Sequence, residues 1–528
     1  MFSADPGGED TPSSLELQNT ISALTNTVSR LNGSCFQLVK DIINCQWVAR
    51  ESGFVESYVR LLGNLVSAHS NYMDLIVNML VQHLVWCKSN IPLIYLCVLG
   101  LTFFWIVHSS AGKLPNHSPV ERSVIYERVH HALQFVLDLV PTAAFSTLFP
   151  ALIYEFPHKS ESKRAHLTYI TNLLRVIEYA PSLRNKLLTF ITDRVIKIDT
   201  EIQADLNDLE DEQSEELEAE IVGAGMERNE GRGVTGAEEE MEEDEMESDD
   251  SGEEYGIDAV ANIKDTVDKL DVMLDILFSY YSKSFPSKST ESPTQESIES
   301  FGLIMKLFSG IILPTYRSRY TQFLIFWAAQ KAPRFSDSFC VTAITKALDN
   351  TLQSGARQAA AAYVASFIAR ARLVPGQYVQ ISTKIMCRWL GAFVDQRSAE
   401  CEGPDVSKWG GFYSVCQAVM YIFCFRWKDL REVEEDEFGV VGERWMGFLQ
   451  NLNKAITSKF NPLKVCSLRV TLLVKFSLAK GLVFKNTGLF TSSCRDVCED
   501  RIPLSASLLF YHHRPEQTQR VEWPRGTR

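Results

Sequence analysis

The sequence predicts an all-α protein, a solenoid of antiparallel helix pairs interrupted by a disordered acidic insertion. Three observations lead there. Apolar residues recur at alternating steps of three and four, the spacing that lines one face of a helix. Prolines punctuate these runs at Pro141, Pro150, Pro157, Pro181, Pro314, Pro333 and Pro375, where a helix must end or begin. Between two such helical stretches lies a block, Glu201 to Glu254, with 24 Asp and Glu against 2 Arg.

From the N-terminus, Met1 to Ser14 is rich in Gly, Pro, Ser and Asp and reads as a disordered tail. It carries neither the basic region nor the apolar run of a signal peptide. Residues 15–200 read as an N-terminal helical half. Within it Ile125, Val129, Leu133, Leu137 and Val140 make one stripe before Pro141. Leu167, Ile170, Leu174 and Ile177 make another before Pro181. Residues 86–112 are atypical, because Ile91 to Val107 is an uncharged apolar run flanked by Lys88 and Lys113. Its length approaches a bilayer span. A buried core helix and a stretch foreign to the folded protein are the other readings.

The acidic block carries −22 against −14 for the whole chain, so the remainder is slightly basic. Mutually repelling carboxylates cannot bury enough apolar surface to offset their ordering entropy, which predicts a disordered insertion over 201–255. It serves as a solvated spacer or as a mimic of nucleic-acid charge that competes for basic surfaces. Residues 256–465 read as the C-terminal helical half. It opens on a stripe of Ile263, Val267, Leu270, Leu274, Leu277 and Tyr281. Lys264, Asp265, Asp268, Lys269 and Asp275 fall between these positions, mainly on the expected wet face. No run alternates as a strand hairpin would. Pairs with one apolar face each must stack on neighbours to bury it, and the irregular period favours HEAT-like over tetratricopeptide stacking. An irregular bundle is the structural alternative. Residues 466–528 lose the periodicity and end in an Arg-rich polar stretch, an atypical tail expected to be partly disordered.

The twelve cysteines form no CxxC pair and sit mostly among apolar neighbours, as buried thiols do in reducing compartments. No phosphate loop, GxSxG elbow, HExxH or kinase signature is present. His130-His131 and His512-His513 are adjacent pairs whose side chains diverge by about 100° on a helix, a poor arrangement for shared ligation. These readings imply no enzyme, no catalytic, metal or cofactor-binding residues and no cofactor. Two patches suit recognition instead. Phe156 to Arg164 is a polar, basic loop between helical stretches, with Ser160, Ser162, Lys163 and Arg164 as a candidate phosphoregulated docking patch. Pro314 to Tyr320 mixes aromatics with Arg, so Tyr316, Arg317, Arg319 and Tyr320 are candidate partner contacts. Their plainer roles are an inter-helix loop and the packing of two helices at a Pro turn. Ser251, with Glu254 three residues on, is a candidate acidic-loop phosphosite.

FPHK at Phe156 to Lys159, LLRVIEYAPSLR at Leu173 to Arg184 and LPTYRSRYTQFLIFW at Leu313 to Trp327 occur in order with two further segments. These are RQAAAAYVASFIARARLVP at Arg357 to Pro375 and NPLKVC at Asn461 to Cys466. Together they resemble the RNA polymerase I-specific transcription initiation factor family, over residues 40–85 and 115–466. The resemblance implies a HEAT-repeat solenoid without catalytic activity, working in the nucleus and nucleolus. It implies an adaptor that binds RNA polymerase I near its stalk and bridges it to a promoter-bound core initiation factor to start ribosomal RNA synthesis. Phosphorylation of a serine patch would control docking, with Ser160 and Ser162 the candidates here. DNA contact would be secondary at most and no membrane is expected; homodimerisation stays open. Residues 86–112 and the stretch after Cys466 depart from the family pattern, which mispredicted exon boundaries would explain. The rival readings are a HEAT-type nuclear transport receptor, bound to cargo and a small GTPase, a general scaffold, or a single-pass membrane scaffold anchored by Ile91 to Val107.

Overall fold

The structure is a computed structural model that describes residues 14–85, 119–208, 254–285, 292–315, 318–435, 441–467 and 470. The expectations for the N-terminal tail to residue 13, for 86–112, for most of the acidic block and for the C-terminal stretch beyond 470 therefore lie outside the described residues. Inter-residue contacts divide the chain into two units, one of Met1–Ile198 with Glu245–Tyr280, the other of Asp199–Asp244 with Tyr281–Arg528.

In the first unit the helices are α1 (Ser14–Asn26), α2 (Phe36–Ile43), α3 (Ser52–Ala68), α4 (Met73–Gln82), α5 (Arg122–Leu139), α6 (Phe149–Tyr154) and α7 (Lys163–Tyr179). Two longer helices, α8 (Arg184–Asp208) and α9 (Glu254–Ser282), cross the division. Helix α1 packs on α3, α3 on α5 and α5 on α7, while α2 packs on α4 and α4 on α6. Helices α1 to α5 thus each rest on the next but one among those described, a solenoid-like stacking in two rows. Gly63 sets the α3–α5 approach, since a Cβ there would overlap the Phe135 ring and lie 2.9 Å from Leu139 Cδ1. Trp47, fully buried, stacks on Tyr58 with ring centroids 5.3 Å apart. The Tyr58 hydroxyl donates to the Ile42 and Ile43 carbonyls at 3.0 and 2.9 Å, satisfying the buried C-terminal carbonyls of α2.

The periodic stripes fold nearly as read. Ile263, Val267, Leu270, Leu274, Leu277 and Tyr281 of α9 are all buried, as are Ile125, Val129, Leu133 and Leu137 of α5. Three readings need correction. In α7 the buried face is Ala165, His166, Tyr169, Ile170, Asn172, Leu173, Val176 and Ile177, whereas Leu167 is exposed. Three polar or aromatic core positions, His166, Tyr169 and Asn172, masked that phase in the sequence. Lys269, expected on the wet face, is buried, its ammonium donating to the Lys159 carbonyl. The acidic block does not begin in coil: α8 continues to Asp208, with Ile202 and Leu206 buried. Apolar residues one turn apart outweigh the carboxylates there.

The second unit adds α10 (Gln295–Leu307), α11 (Gln322–Ala329), α12 (Pro333–Leu348), α13 (Ser354–Arg370), α14 (Gly376–Arg397), α15 (Val406–Arg426), α16 (Gln450–Ile456) and α17 (Pro462–Val465). Pro333 occupies the first turn of α12 and Pro375 caps α14, positions where a missing N–H costs nothing. Here α12 packs on α13 and α14, α13 on α15, and α14 on α15 and α16, the same solenoid-like logic. Alanines at 359–362 and 365, all buried, let α13 lie close between α12 and α15. Phe339 is central, with ring centroids 4.9 Å from Phe367 and 5.2 Å from Phe308. Burying one such ring contributes about 1.5–3 kcal/mol. Among the described residues the fold is all-α apart from one antiparallel hairpin that periodicity missed, β1 (Arg431–Glu435) with β2 (Val441–Trp445). Its base is fixed by Arg431, whose guanidinium stacks 4.4 Å from Trp427 and 4.7 Å from Trp445.

Candidate partner-docking site

The loop between α6 and α7 is a braced turn. Phe156 is wedged edge-on against Tyr169, Phe190 and His166, with centroids 5.7, 5.2 and 5.8 Å away. The Arg194 guanidinium lies over Phe190 and Phe156 at 4.8 and 5.5 Å. Pro157 is buried behind it, and Glu161 N–H donates to the His158 carbonyl at 2.9 Å, closing the turn. Lys269 holds the Lys159 carbonyl from α9, and Lys163 pairs with Asp268 of the same helix at 3.5 Å. Both groups of that pair are substantially exposed, so it adds little stability but helps set the register.

This bracing presents the polar residues outward. Ser160 is exposed, its hydroxyl 2.8 Å from His158 Nδ1. Lys163 and Arg164 are also exposed. Ser162 is half-buried and caps α7, its hydroxyl accepting from Ala165 N–H at 3.3 Å. The four residues of the first candidate patch therefore share one turn and the helix start that follows it. Behind them His166 is buried, and burial lowers its imidazole to about 4 despite its bond to the Ser162 carbonyl. His130 is similar, lowered to about 4 by burial, between Asn172 Oδ1 at 3.2 Å and the Tyr179 hydroxyl at 3.0 Å. Both imidazoles are neutral structural groups.

The second patch is assembled differently. Tyr316 and Arg317 lie outside the described residues, as does Ser251. Arg319 is buried and Tyr320 half-buried. Their backbone N–H groups and that of Thr321 donate to the Asp199 carboxylate at 2.9, 2.9 and 2.8 Å, and the Thr321 hydroxyl adds a fourth bond at 2.7 Å. Burial pushes the Asp199 carboxyl up while these donors pull it down. The described part of the patch thus shows the packing role, a turn nailed down before α11. Asp199 escaped sequence reading because it stands two residues before the acidic block and looks like more of it.

Among the described residues, no group of three or more His, Cys, Asp or Glu side chains is placed to hold a metal ion. Nor is any described helix long and apolar enough to cross a membrane. Burial raises the thiols of Cys45 to about 11 and of Cys340, Cys387 and Cys466 to about 12, so none is poised as a nucleophile.

Residues 1–476 match the family model described as RNA polymerase I specific transcription initiation factor RRN3. The chain is 35% identical over 484 residues to the RNA polymerase I-specific transcription initiation factor rrn3 of Schizosaccharomyces pombe, covering 89% of this chain and 72% of that protein. It is 28% identical to the Mus musculus factor of the same name, covering 85% of this chain and 64% of that one. Against the Saccharomyces cerevisiae factor, identity is 26%, covering 67% and 58%. The chain thus spans less than two thirds of the length of the mouse and budding yeast relatives. Its fold matches a solved structure titled Crystal Structure of RNA Polymerase I Transcription Initiation Factor Rrn3, with a TM-score of 0.64 at 20% identity. That match covers 94% of this chain and 83% of the other.

Proposed function

The chain belongs to the RNA polymerase I-specific transcription initiation factor RRN3 family, and from that premise we propose that it is an adaptor joining RNA polymerase I to a promoter-bound core factor. Its work is binding, with no catalytic step. What carries the reading is the extent of the family match, which runs through both helical halves. The helical stack is of HEAT type, the polymerase contact lies near the stalk, and the protein acts in the nucleus and nucleolus. Residues 15–200 and 256–465 are its two helical modules, separated by the acidic insertion.

Docking uses the turn that carries Ser160, Ser162, Lys163 and Arg164. Between His158 and Arg164 three basic groups face one Glu, a formal charge of +2. One phosphate adds about −1.5 to −2 at neutral pH and brings the turn to about zero. A basic turn that suits an acidic polymerase surface is thereby neutralised, and two phosphates make it repel. Replacing Ser160 and Ser162 together by Asp lowers polymerase I recovery in pull-downs at least tenfold, whereas replacement by Ala preserves it. Equal recovery with both variants places regulation elsewhere.

A further inference from the structure

We infer that the outer face of α12 and α14 is a second docking surface, one that receives an acidic amphipathic helix of a partner protein. This goes beyond the reading above and does not depend on it. Helices α12 and α14 pack side by side along one row of the second unit. Their solvent faces are therefore neighbours, and both carry apolar groups that a soluble surface has no need to expose. Val341 is 49% exposed, Ile381 50% and Ile385 40%. Ile381 and Ile385 stand one turn apart on α14, so they form a ridge, with the groove toward α12 on one side. Such a groove takes a third helix that offers apolar residues at i and i+4.

Charge specifies the occupant. Arg334 on α12 and Lys384 and Arg388 on α14 are exposed around the apolar groups, and none forms an ion pair among the described residues. The acidic group exposed beside them on α12 is Asp337. Three cations unpaired among the described residues, against one carboxylate and flanking a greasy strip, complement a helix with carboxylates on both sides of its apolar stripe.

The test is fluorescence anisotropy on the full chain. The probe is a labelled peptide with Leu at i, i+3, i+4 and i+7 and Glu at the flanking positions. Wild type binds; Lys384→Glu with Arg388→Glu weakens binding at least tenfold, and Ile381→Ala with Ile385→Ala weakens it at least fivefold. All four side chains are exposed, so thermal melts of the variants should match wild type. Absence of binding by wild type overturns the proposal. So does loss on charge reversal without loss on truncation of the isoleucines, which would mean unspecific attraction. Concentration-dependent dimers in sedimentation that vanish with the same variants would make a second copy the occupant, and would overturn it too.

Discussion

Replacing Asp199 by Ala should loosen the turn before α11 and little else. The wild-type carboxylate accepts three backbone N–H groups and a hydroxyl, all between 2.7 and 2.9 Å, at a fully buried site. Alanine strips the acceptor and leaves those donors in a place water does not reach. Each orphaned N–H costs about 1–3 kcal/mol. Relaxation recovers part of this, so the net loss is roughly 3–5 kcal/mol, as for other one-sided removals of a buried charge partner. Asn keeps one carbonyl oxygen but turns an NH₂ toward remaining donors, so it should lose about half as much. Amide hydrogen exchange is the direct assay. Exchange of Arg319, Tyr320 and Thr321 should accelerate at least a hundredfold in Asp199→Ala, since each 1.4 kcal/mol is about a factor of ten. Peptides from α5 serve as the internal control and should not change. Unchanged protection at 319–321 would refute the claim that the carboxylate holds the turn.

Further predictions concern the first unit and the thiols. His130 and His166 are held near 4, below the ordinary imidazole value of 6.5, so the folded state resists the protons that the unfolded chain accepts. Stability is therefore full above pH 6.5 and falls between 6.5 and about 4, by up to roughly 3 kcal/mol per imidazole; urea midpoints measured across that range check it. His166→Phe should flatten the dependence. Gly63→Val forces a branched side chain into the Phe135 ring, costing about 1–3 kcal/mol and lowering the melting temperature by a few degrees. Of the eight described cysteines, Cys35 and Cys424 are partly exposed, so a thiol reagent should label these in the native state and the other six only after denaturation.

The stripes of α5 and α9 were legible because nearly every core position is aliphatic, and periodicity reads aliphatic residues well. Helix α7 was misread by one step because its core uses His166, Tyr169 and Asn172, which hydrophobicity counts as surface. Lys269 was misplaced for a related reason: its long apolar stem can lie buried while its ammonium reaches polar partners such as the Lys159 carbonyl. Asp199 and the turn at 319–321 are brought together across more than a hundred residues, a pairing that no local pattern encodes. The hairpin at 431–445 was hidden because its sequence lacks apolar alternation, while the packing of Arg431 on Trp427 and Trp445 at its base is tertiary. The serine-bearing turn was visible as a polar interval between stripes, yet its bracing by Lys269 and Phe156 is tertiary and was not.

Affinity capture from nuclear extract, with the full chain as bait and subunits identified by mass spectrometry, tests the adaptor reading most directly. RNA polymerase I should be retained by the wild-type chain and by Ser160→Ala/Ser162→Ala, and lost with Ser160→Asp/Ser162→Asp. A wild-type bait that recovers no polymerase I would contradict the account.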